Sequence, residues 1–385
     1  MKTIIGLERL LDSQLETLSG KRVGLVSHPA AVLPDYVHGL DALRARGVNI
    51  TALFGAEHGF FGESAAGVQI SNQIDQRTGL PVFSLYGDAY LPSAEALSLV
   101  DVMLFDMQDV GARFYTYIST LWHVMIASAE HGKRLVVCDR PNPLGGLEVE
   151  GPLVAPEYYS FVGITSLPNR YGMTMGELAR LFKDLTQADI DLEVIRMEGW
   201  TRGMWFDETG QAWVAPSTNM PTLATATVYP GMCLFESTNL SEGRGTTVPF
   251  ETIGAPWLDA HALAKSLNNL DLPGVRFRPS FFTPASNLFA GEMCQGVQVH
   301  VTDRDVFRPV RTAVKVLQAC EQANPDKFMF MPPRQAGQPA ALEKLSGTDQ
   351  VRRFISGELS EEDMFEQWSL AEQEFAKMRE PYLLY

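Results

Sequence analysis

Six short apolar segments in the first 200 residues constrain the fold more than any other feature of the chain. They are rich in Val, Ile, Leu and Phe and read RVGLVS, NITALFG, PVFSLYG, DVMLFD, RLVVCD and LEVIRM. Amphipathic stretches separate them, and this alternation is typical of βαβ units around a buried parallel sheet. The sequence therefore predicts an α/β fold for its first half.

Four helices are expected between these strands, because the intervening segments carry apolar residues at helical spacing. These segments are 37–46, 93–99, 115–131 and 173–185. Thr174 is followed three residues later by Glu177, which is the spacing of a capping box. We therefore expect the last of these helices to begin at Thr174.

The length of 385 residues exceeds one ordinary core and fits two domains. We place an α/β domain at residues 1–200 and an α+β domain at residues 201–385. Segment 213–257 is rich in Gly, Pro and Thr and lacks helical periodicity, so it predicts an extended connection. Beyond it we expect strands at 275–282 and 294–302 and helices at 257–267, 310–322 and 361–377.

Charge and cysteine content exclude several classes of protein. The net charge of −15, without a Lys/Arg cluster, argues against nucleic-acid or membrane-surface partners. Four widely separated cysteines without C-x-x-C spacing predict neither a zinc site nor a disulfide framework, and we interpret them as buried thiols. No apolar stretch reads as a secretory signal or a membrane span. We expect a cytoplasmic protein, or an exported one if a leader has been removed, with no metal or other cofactor.

Polar residues follow the predicted strands. In an open α/β sheet, ligands bind beyond the carboxyl ends of the strands, so we expect these side chains to share one rim. No G-x-G-x-x-G follows a strand, which argues against a typical dinucleotide site. The residues that follow strands are His28, Glu57, His58, Tyr86, Asp106, Gln108, Asp109, Arg140 and Asn142.

The segment FGAEHGFFGE places Glu57 beside His58, and three interpretations stay open. Glu57 fits a general acid/base, because neighbouring phenylalanines are expected to desolvate its carboxylate and favour the protonated form. Glu57 and His58 could also bind a metal together with His28, Asp106 and Asp109, although no regular ligand spacing is present. In the third interpretation, both residues bind loop backbone. For His28, contact with a substrate and contact with loop backbone are about equally supported.

The segment FDMQDVGARFYTYIST combines acids, an amide and aromatic rings, which suits a sugar. The alternative is a helix-capping acid with structural tyrosines. The candidate side chains are Asp106, Gln108, Asp109, Arg113, Tyr115 and Tyr117. In DRPNPLGG, Arg140 is expected to pair with Asp139, and Asn142 follows in a turn that is either rigid scaffold or part of the site.

The segment FESTNLSEGRGTT supplies Glu236, Asn239, Glu242 and Arg244. If either glutamate met Glu57 across a cleft, the pair would have the composition of a glycosidase site. Arg244 is a candidate for binding a substrate carboxylate, because guanidinium groups bind carboxylates through two hydrogen bonds. Salt bridges within the loop are the alternative.

A series of motifs in order along nearly the whole chain resembles a known family. The motifs include GKRVGLVSHPA, LFGAEHGFFGE, DVMLFDMQDVGARFYTYIST, DRPNPLGG, YGMTMGELA and YPGMCLFESTNLSEGRGTTVPFETIGAPW. Together they are similar to the former domain-of-unknown-function 1343 family, now associated with NamZ-type exo-β-N-acetylmuramidases of glycoside hydrolase family 171.

The resemblance implies a Rossmann-like, mostly parallel sheet domain, a smaller α+β auxiliary domain and an active-site cleft between them. It also implies exo-acting release of terminal β-linked N-acetylmuramic acid from peptidoglycan-derived glycans, in cell-wall turnover or recycling. Glu57 would then be the catalytic acid/base, oriented by His58 and assisted by Glu236 or Glu242. Arg113, Arg140 or Arg244 would lie near the lactyl carboxylate, and the other candidates would line the sugar site.

Two residues depart from the family pattern EHGFRGD, since Phe61 and Glu63 replace the expected Arg and Asp. Because a basic residue beside the acid is lost, we expect a charged sugar to be bound differently. Two rival functions remain at this stage. One is a metal-dependent hydrolase using Glu57, His58, Asp106 and Asp109, and the other is a non-catalytic muropeptide-binding protein.

Overall fold

A seven-stranded sheet organises the first half of the chain. The computed structural model describes residues 2–62, 64, 67–68, 71–87, 90–333, 335 and 337–385. The strands lie in the order β3-β4-β2-β1-β5-β6-β7, and only β3 runs antiparallel to its neighbour. Their bounds are β1 Val23–Ser27, β2 Ile50–Gly55, β3 Gln73–Ile74, β4 Pro81–Ser84, β5 Val102–Asp106, β6 Arg134–Cys138 and β7 Leu192–Ile195.

The predicted α/β class is confirmed, and each of the six apolar segments forms a strand. Among the described strands and α-helices of this half, the two-residue β3 and the first α-helix were missed. The helices of this half are α1 Gly6–Ser13, α2 Gly39–Ala45, α3 Ala94–Ser98, α4 Tyr117–Glu130 and α5 Met175–Thr186. The predicted capping box is present at α5, where the Thr174 hydroxyl accepts from the Glu177 amide at 3.3 Å and Glu177 accepts from the Thr174 amide at 3.0 Å.

Helices cover both faces of the sheet, as the apolar strands require. On one face, Leu7 and Leu10 of α1 and Leu40 of α2 belong to a compact core. On the other face, α4 and α5 pack into a larger core that continues without a break into the second half of the chain. The sheet is therefore buried on both sides, and its carboxyl edge is left for polar groups.

The prediction of an extended connection over 213–257 is wrong. This segment contains α6 Leu223–Met232, a short 3₁₀ helix at Cys233–Ser237 and β8 Thr252–Ala255. From Thr225 onward every residue of α6 is buried, so no polar face marks it as a helix in the sequence. Pro230, which usually breaks helices, lies inside it.

The second half is a smaller α+β unit around a three-stranded antiparallel sheet of order β8-β10-β9. The predicted strands are β9 Val275–Phe282 and β10 Cys294–Val301. The helices are α7 Ala260–Asn269, α8 Pro309–Ala323, α9 Ala341–Ser346, α10 Gln350–Ile355 and α11 Glu361–Arg379. All four cysteines are buried and free, as predicted. The predicted boundary at residues 200/201 stays a prediction.

Among the described residues, none of the helices combines the length and the apolar character needed to cross a bilayer.

Candidate active site

The carboxyl ends of β1, β2, β4, β5 and β6 meet at one edge because these strands run parallel. From β1 the sheet continues on one side through β2 and β4, and from β5 it continues on the other side through β6 and β7. The gap between β1 and β5 is therefore the topological switch point, where α/β sheets bind ligands. His28 follows β1 and accepts a hydrogen bond on Nε2 from the Gln108 amide, at 2.8 Å, after β5. Burial, and then the charge of Arg140, hold the pKa of His28 well below its usual range. His28 is therefore neutral.

Asp106 and Arg140 form a buried ion pair across the switch point. Two hydrogen bonds of 2.6 and 2.9 Å join the guanidinium to the carboxylate, and a third, of 3.2 Å, reaches the Val32 carbonyl. The predicted ion pair of Arg140 with Asp139 is wrong: the Asp139 carboxylate accepts from the backbone amide of Arg140, not from its guanidinium. The donors of the Arg140 guanidinium are thus bound to Asp106 and Val32 of the protein rather than directed at a ligand.

Asp109 is a second buried carboxyl at this edge. One oxygen accepts from the Gly111 amide at 2.6 Å and from the Tyr171 hydroxyl. The other oxygen is buried without a hydrogen-bond partner among the described residues. Burial raises the pKa of Asp109 to about 6 against the opposing effect of these donors. Gln108, beside it, donates to the Asp109 and Pro141 carbonyls at 2.8 Å each.

Among the described acids of this edge, Glu57 is the accessible one, half-buried where Asp106, Asp109 and Asp139 are buried. It lies two residues past β2. One of its oxygens accepts from the Thr116 hydroxyl at 2.8 Å and the other from the Gly67 amide at 3.0 Å. Two donors from different segments fix the carboxylate, so it is positioned before any substrate binds.

His58 supports the loop that carries Glu57. Its backbone has a φ of 76°, an uncommon conformation for a residue other than glycine. Its ring is buried, and Nδ1 donates to the Ser64 carbonyl at 3.0 Å. Phe61 is 42% exposed and packs edge-on against Phe60 at 5.1 Å. Glu63 lies outside the described residues.

Three tyrosine candidates lie at or near the same edge of the sheet. The Tyr117 hydroxyl donates to the Pro216 carbonyl at 2.7 Å, and its ring contacts His28 at 5.0 Å. Tyr115 packs against Tyr117 at 4.7 Å, and burial raises the pKa of both phenols. Tyr86 follows β4 at the same edge.

Three candidates serve mainly to connect segments. Arg113 is fully buried and donates to the carbonyls of Val162, Lys344 and Leu345 at 3.0, 3.3 and 2.6 Å, and burial lowers its pKa to about 9. Asn142 bridges its own turn to the Met173 carbonyl at 2.8 Å. Asn239 binds the backbone of segment 327–329. Through its bonds to Val162 and Leu345, Arg113 connects the two halves of the chain.

Glu236, Glu242 and Arg244 form one cluster in the second half. The Arg244 guanidinium bridges the two glutamates, with Nε 3.0 Å from Glu242 Oε1. Glu236 is exposed and Glu242 is buried. Burial, and then repulsion from Glu236, raise the pKa of Glu242 to about 7. Glu242 therefore exchanges a proton near neutral pH.

Aromatic rings connect this cluster to the edge that carries Glu57. Tyr115 contacts Tyr229 of α6 at 6.0 Å, and Tyr229 contacts Phe250 at 4.7 Å. Arg244 lies over the Phe250 ring at 4.9 Å. Buried aromatic contacts thus link the sheet edge of the first half to the acidic cluster of the second.

The described parts of the chain bring no three His, Cys, Asp or Glu side chains into a metal-binding cluster. Asp106 is bound to Arg140, His58 to the Ser64 carbonyl, and Glu57 to Thr116. The metal interpretation would require these side chains to leave their partners.

Sequence reasoning missed Thr116, Tyr171 and Tyr229, which contact Glu57, Asp109 and Tyr115. Thr116 had a usable signal, because it lies in FYTYIST just before a predicted helix, where hydroxyl side chains are common. Tyr171 and Tyr229 carried none, since their contacts cross 62 and more than 100 residues.

An open α/β sheet with a fixed, accessible glutamate at its carboxyl edge, and a second acidic cluster in the other half of the chain, has the composition expected of a glycoside hydrolase. Two family models cover most of the chain. Exo-beta-N-acetylmuramidase NamZ, N-terminal, matches residues 23–224, and its C-terminal counterpart matches residues 227–385. The chain belongs to the NamZ exo-β-N-acetylmuramidase family.

Relatives and solved structures agree with this membership. The chain is 44% identical to the peptidoglycan β-N-acetylmuramidase NamZ of Bacillus subtilis (strain 168), over 100% of this chain and 92% of the relative. Two crystal structures of DUF1343 family proteins from Bacteroides fragilis superpose with TM-scores of 0.91 and 0.81, at 35% and 30% identity. Each comparison covers 100% of this chain and 99% of the other.

Proposed function

We propose that the protein is an exo-acting glycosidase that releases terminal β-linked N-acetylmuramic acid from peptidoglycan-derived glycans. The observation that carries the proposal is the placement of Glu57. Its carboxylate is fixed by Thr116 and Gly67 at the accessible end of β2, beside the switch point of the sheet. Glycoside cleavage requires a carboxyl group at such a position to protonate the leaving oxygen.

Glu57 acts as the general acid/base in this account, and His58 maintains its loop. Glu242 is the favoured second carboxyl, because its pKa of about 7 allows it to hold or release a proton at neutral pH. Burial raises that pKa most, and repulsion from Glu236, exposed on the other side of Arg244, raises it further. In this proposal one of the two carboxyl groups donates a proton and the other accepts one.

Arg244 is the favoured partner of the lactyl carboxylate. Arg113 donates to backbone carbonyls, and Arg140 donates to the Asp106 carboxylate. Arg244 is also paired, but with acidic side chains at the site, and its side chain is 16% exposed. The remaining candidates, His28, Tyr86, Asp106, Gln108, Asp109, Tyr115, Tyr117, Asn142 and Asn239, shape and support the sugar site.

The partner is a small glycan, such as a muropeptide sugar or disaccharide. We place the activity in the cytoplasm, in turnover of imported wall fragments. Four buried, unpaired cysteines are compatible with a reducing compartment. Immunoblotting of fractionated cells tests this location.

Incubation with the disaccharide of N-acetylmuramic acid β-linked to N-acetylglucosamine tests the activity. The expected products are the two free monosaccharides, identified by mass spectrometry, with unchanged yield in excess chelator. A glycan blocked at its non-reducing end should stay intact. Binding without product would indicate a sugar-binding protein, and loss of product with chelator would indicate a metal-dependent hydrolase.

A further inference from the structure

Four rings gather beside Glu57 in an arrangement that the catalytic assignment leaves unexplained. Tyr90 stacks on Phe161, with centroids 4.0 Å apart and planes 22° from parallel. Tyr86 approaches these two rings at 6.2 and 5.8 Å, and His123 approaches them at 5.9 and 5.8 Å. We refer to Tyr86, Tyr90, His123 and Phe161 as the rim cluster.

Strand register places the rim cluster next to the catalytic glutamate. Gly55 of β2 pairs with Ser84 of β4, and the Leu85 amide donates to the Gly55 carbonyl at 2.8 Å. Glu57 and Tyr86 each follow two residues later, so they leave adjacent strands at the same level. Neighbouring strands lie about 4.8 Å apart.

Helix α4 holds Glu57 and the rim cluster on one face. The Thr116 hydroxyl, at the start of the helix, donates to Glu57, and the Ser119 hydroxyl donates to the Phe161 carbonyl at 2.7 Å. His123 Nδ1 donates to the Ser119 carbonyl at 2.7 Å. At a rise of about 1.5 Å per residue, Thr116 and His123 are about 10 Å apart. This distance is on the order of one to two sugar units.

The exposure and chemistry of the cluster fit an uncharged sugar. Tyr90 is 36% exposed, and the other three rings are half-buried beneath or beside it. Aromatic rings bind the apolar face of a pyranose, while phenol groups bind its hydroxyls. A sugar carrying a carboxylate would gain more from Arg244, which lies in the other half of the site.

We propose that the rim cluster is the binding site for the N-acetylglucosamine on the leaving-group side of the cleaved bond. The inference rests on the proposed function, because exo cleavage places that sugar directly beyond Glu57. N-acetylmuramic acid then occupies the inner part of the site, near Glu242 and Arg244. The rim cluster determines which aglycones the enzyme accepts.

Tyr90→Ala tests the inference with two substrates, the disaccharide and methyl β-N-acetylmuramide, which lacks the second sugar. Stacking contacts of this kind predict a loss of about three- to tenfold in kcat/KM on the disaccharide, with the methyl glycoside within about twofold of wild type. Tyr159→Ala is the matched control, because Tyr159 is an exposed tyrosine outside the rim cluster. It should leave both substrates unchanged.

Equal losses on both substrates, or no loss on either, would overturn the inference. Calorimetric binding of N,N′-diacetylchitobiose separates it from the proposed function, since binding needs no turnover. The wild type should bind this sugar, and Tyr90→Ala should bind it more weakly by the same factor. A wild-type protein that binds the sugar but releases no muramic acid would contradict the proposed function alone, whereas absence of binding would contradict the rim site.

Discussion

Asp109 links the stability of the fold to pH. Its carboxyl is buried at the end of β5, with a folded-state pKa of about 6 against 3.8 for an unperturbed aspartate. Between these values the folded state keeps the proton and the unfolded state loses it. The free energy of unfolding therefore falls as the pH rises through this window, and the loss is complete above the folded pKa.

Asp109→Asn should remove this dependence, because the amide stays neutral and can still accept from Tyr171 and Gly111. We expect the stability of the wild type relative to Asp109→Asn to decrease by about 2 kcal/mol between pH 4.5 and pH 7.5. Urea unfolding at both pH values measures the difference. The same difference at both pH values would show that Asp109 is ionised throughout.

The residue scale also shows where sequence reasoning ends. Glu57, Asp106 and Arg140 could be placed at this edge from the sequence because each follows an apolar strand segment. Their partners could not be found, since the Asp106–Arg140 pair depends on β5 lying beside β6. The adjacent Asp139 was the obvious partner for Arg140, yet neighbours in sequence point away from each other at a strand end.

At the scale of elements, strands were predictable and the central helix was not. The central strands β1 and β5 are buried at every residue, and the apolar runs are bounded by polar residues, which is a strong signal. Helix α6, in contrast, is buried almost all round and contains Pro230, so neither periodicity nor propensity marks it. Its burial between the two halves, with Tyr229 against Tyr115, determines its conformation.

The N-cap of α5 provides a test at this scale. The Thr174 hydroxyl accepts from the Glu177 amide and donates to the buried Asp139 carboxylate at 2.7 Å. Thr174→Ala should cost about 2 kcal/mol, since it removes a cap and leaves a buried acceptor with one donor fewer. Ser93→Ala removes the exposed cap of α3 and should cost about 1 kcal/mol.

Thermal or urea unfolding of the two variants decides the comparison. Equal costs would mean that the bond to Asp139 adds nothing to the cap.

The whole molecule is predicted to unfold as one unit despite its two parts. One apolar core contains Phe105 of the parallel sheet, Tyr229 of α6 and Trp368 of α11. Buried Arg113 and Arg379 donate to carbonyls of the opposite half, Arg379 to Tyr171 and Leu147. Separating the halves would expose this apolar core to water and break the hydrogen bonds between these arginines and carbonyls.

Differential scanning calorimetry should therefore show a single transition whose calorimetric and van't Hoff enthalpies agree. Two resolved transitions, or a calorimetric enthalpy well above the van't Hoff value, would show that the halves are energetically independent.

The role of Glu57 is the central claim at the scale of the whole molecule, because the proposed reaction depends on its carboxyl group. The decisive measurement is kcat/KM of Glu57→Gln on the disaccharide of N-acetylmuramic acid β-linked to N-acetylglucosamine. Glu130→Gln, an exposed glutamate at the far end of α4, serves as the control. Loss of a general acid predicts a decrease of about 10³-fold for Glu57→Gln and none for the control. Wild-type activity in Glu57→Gln would contradict the account.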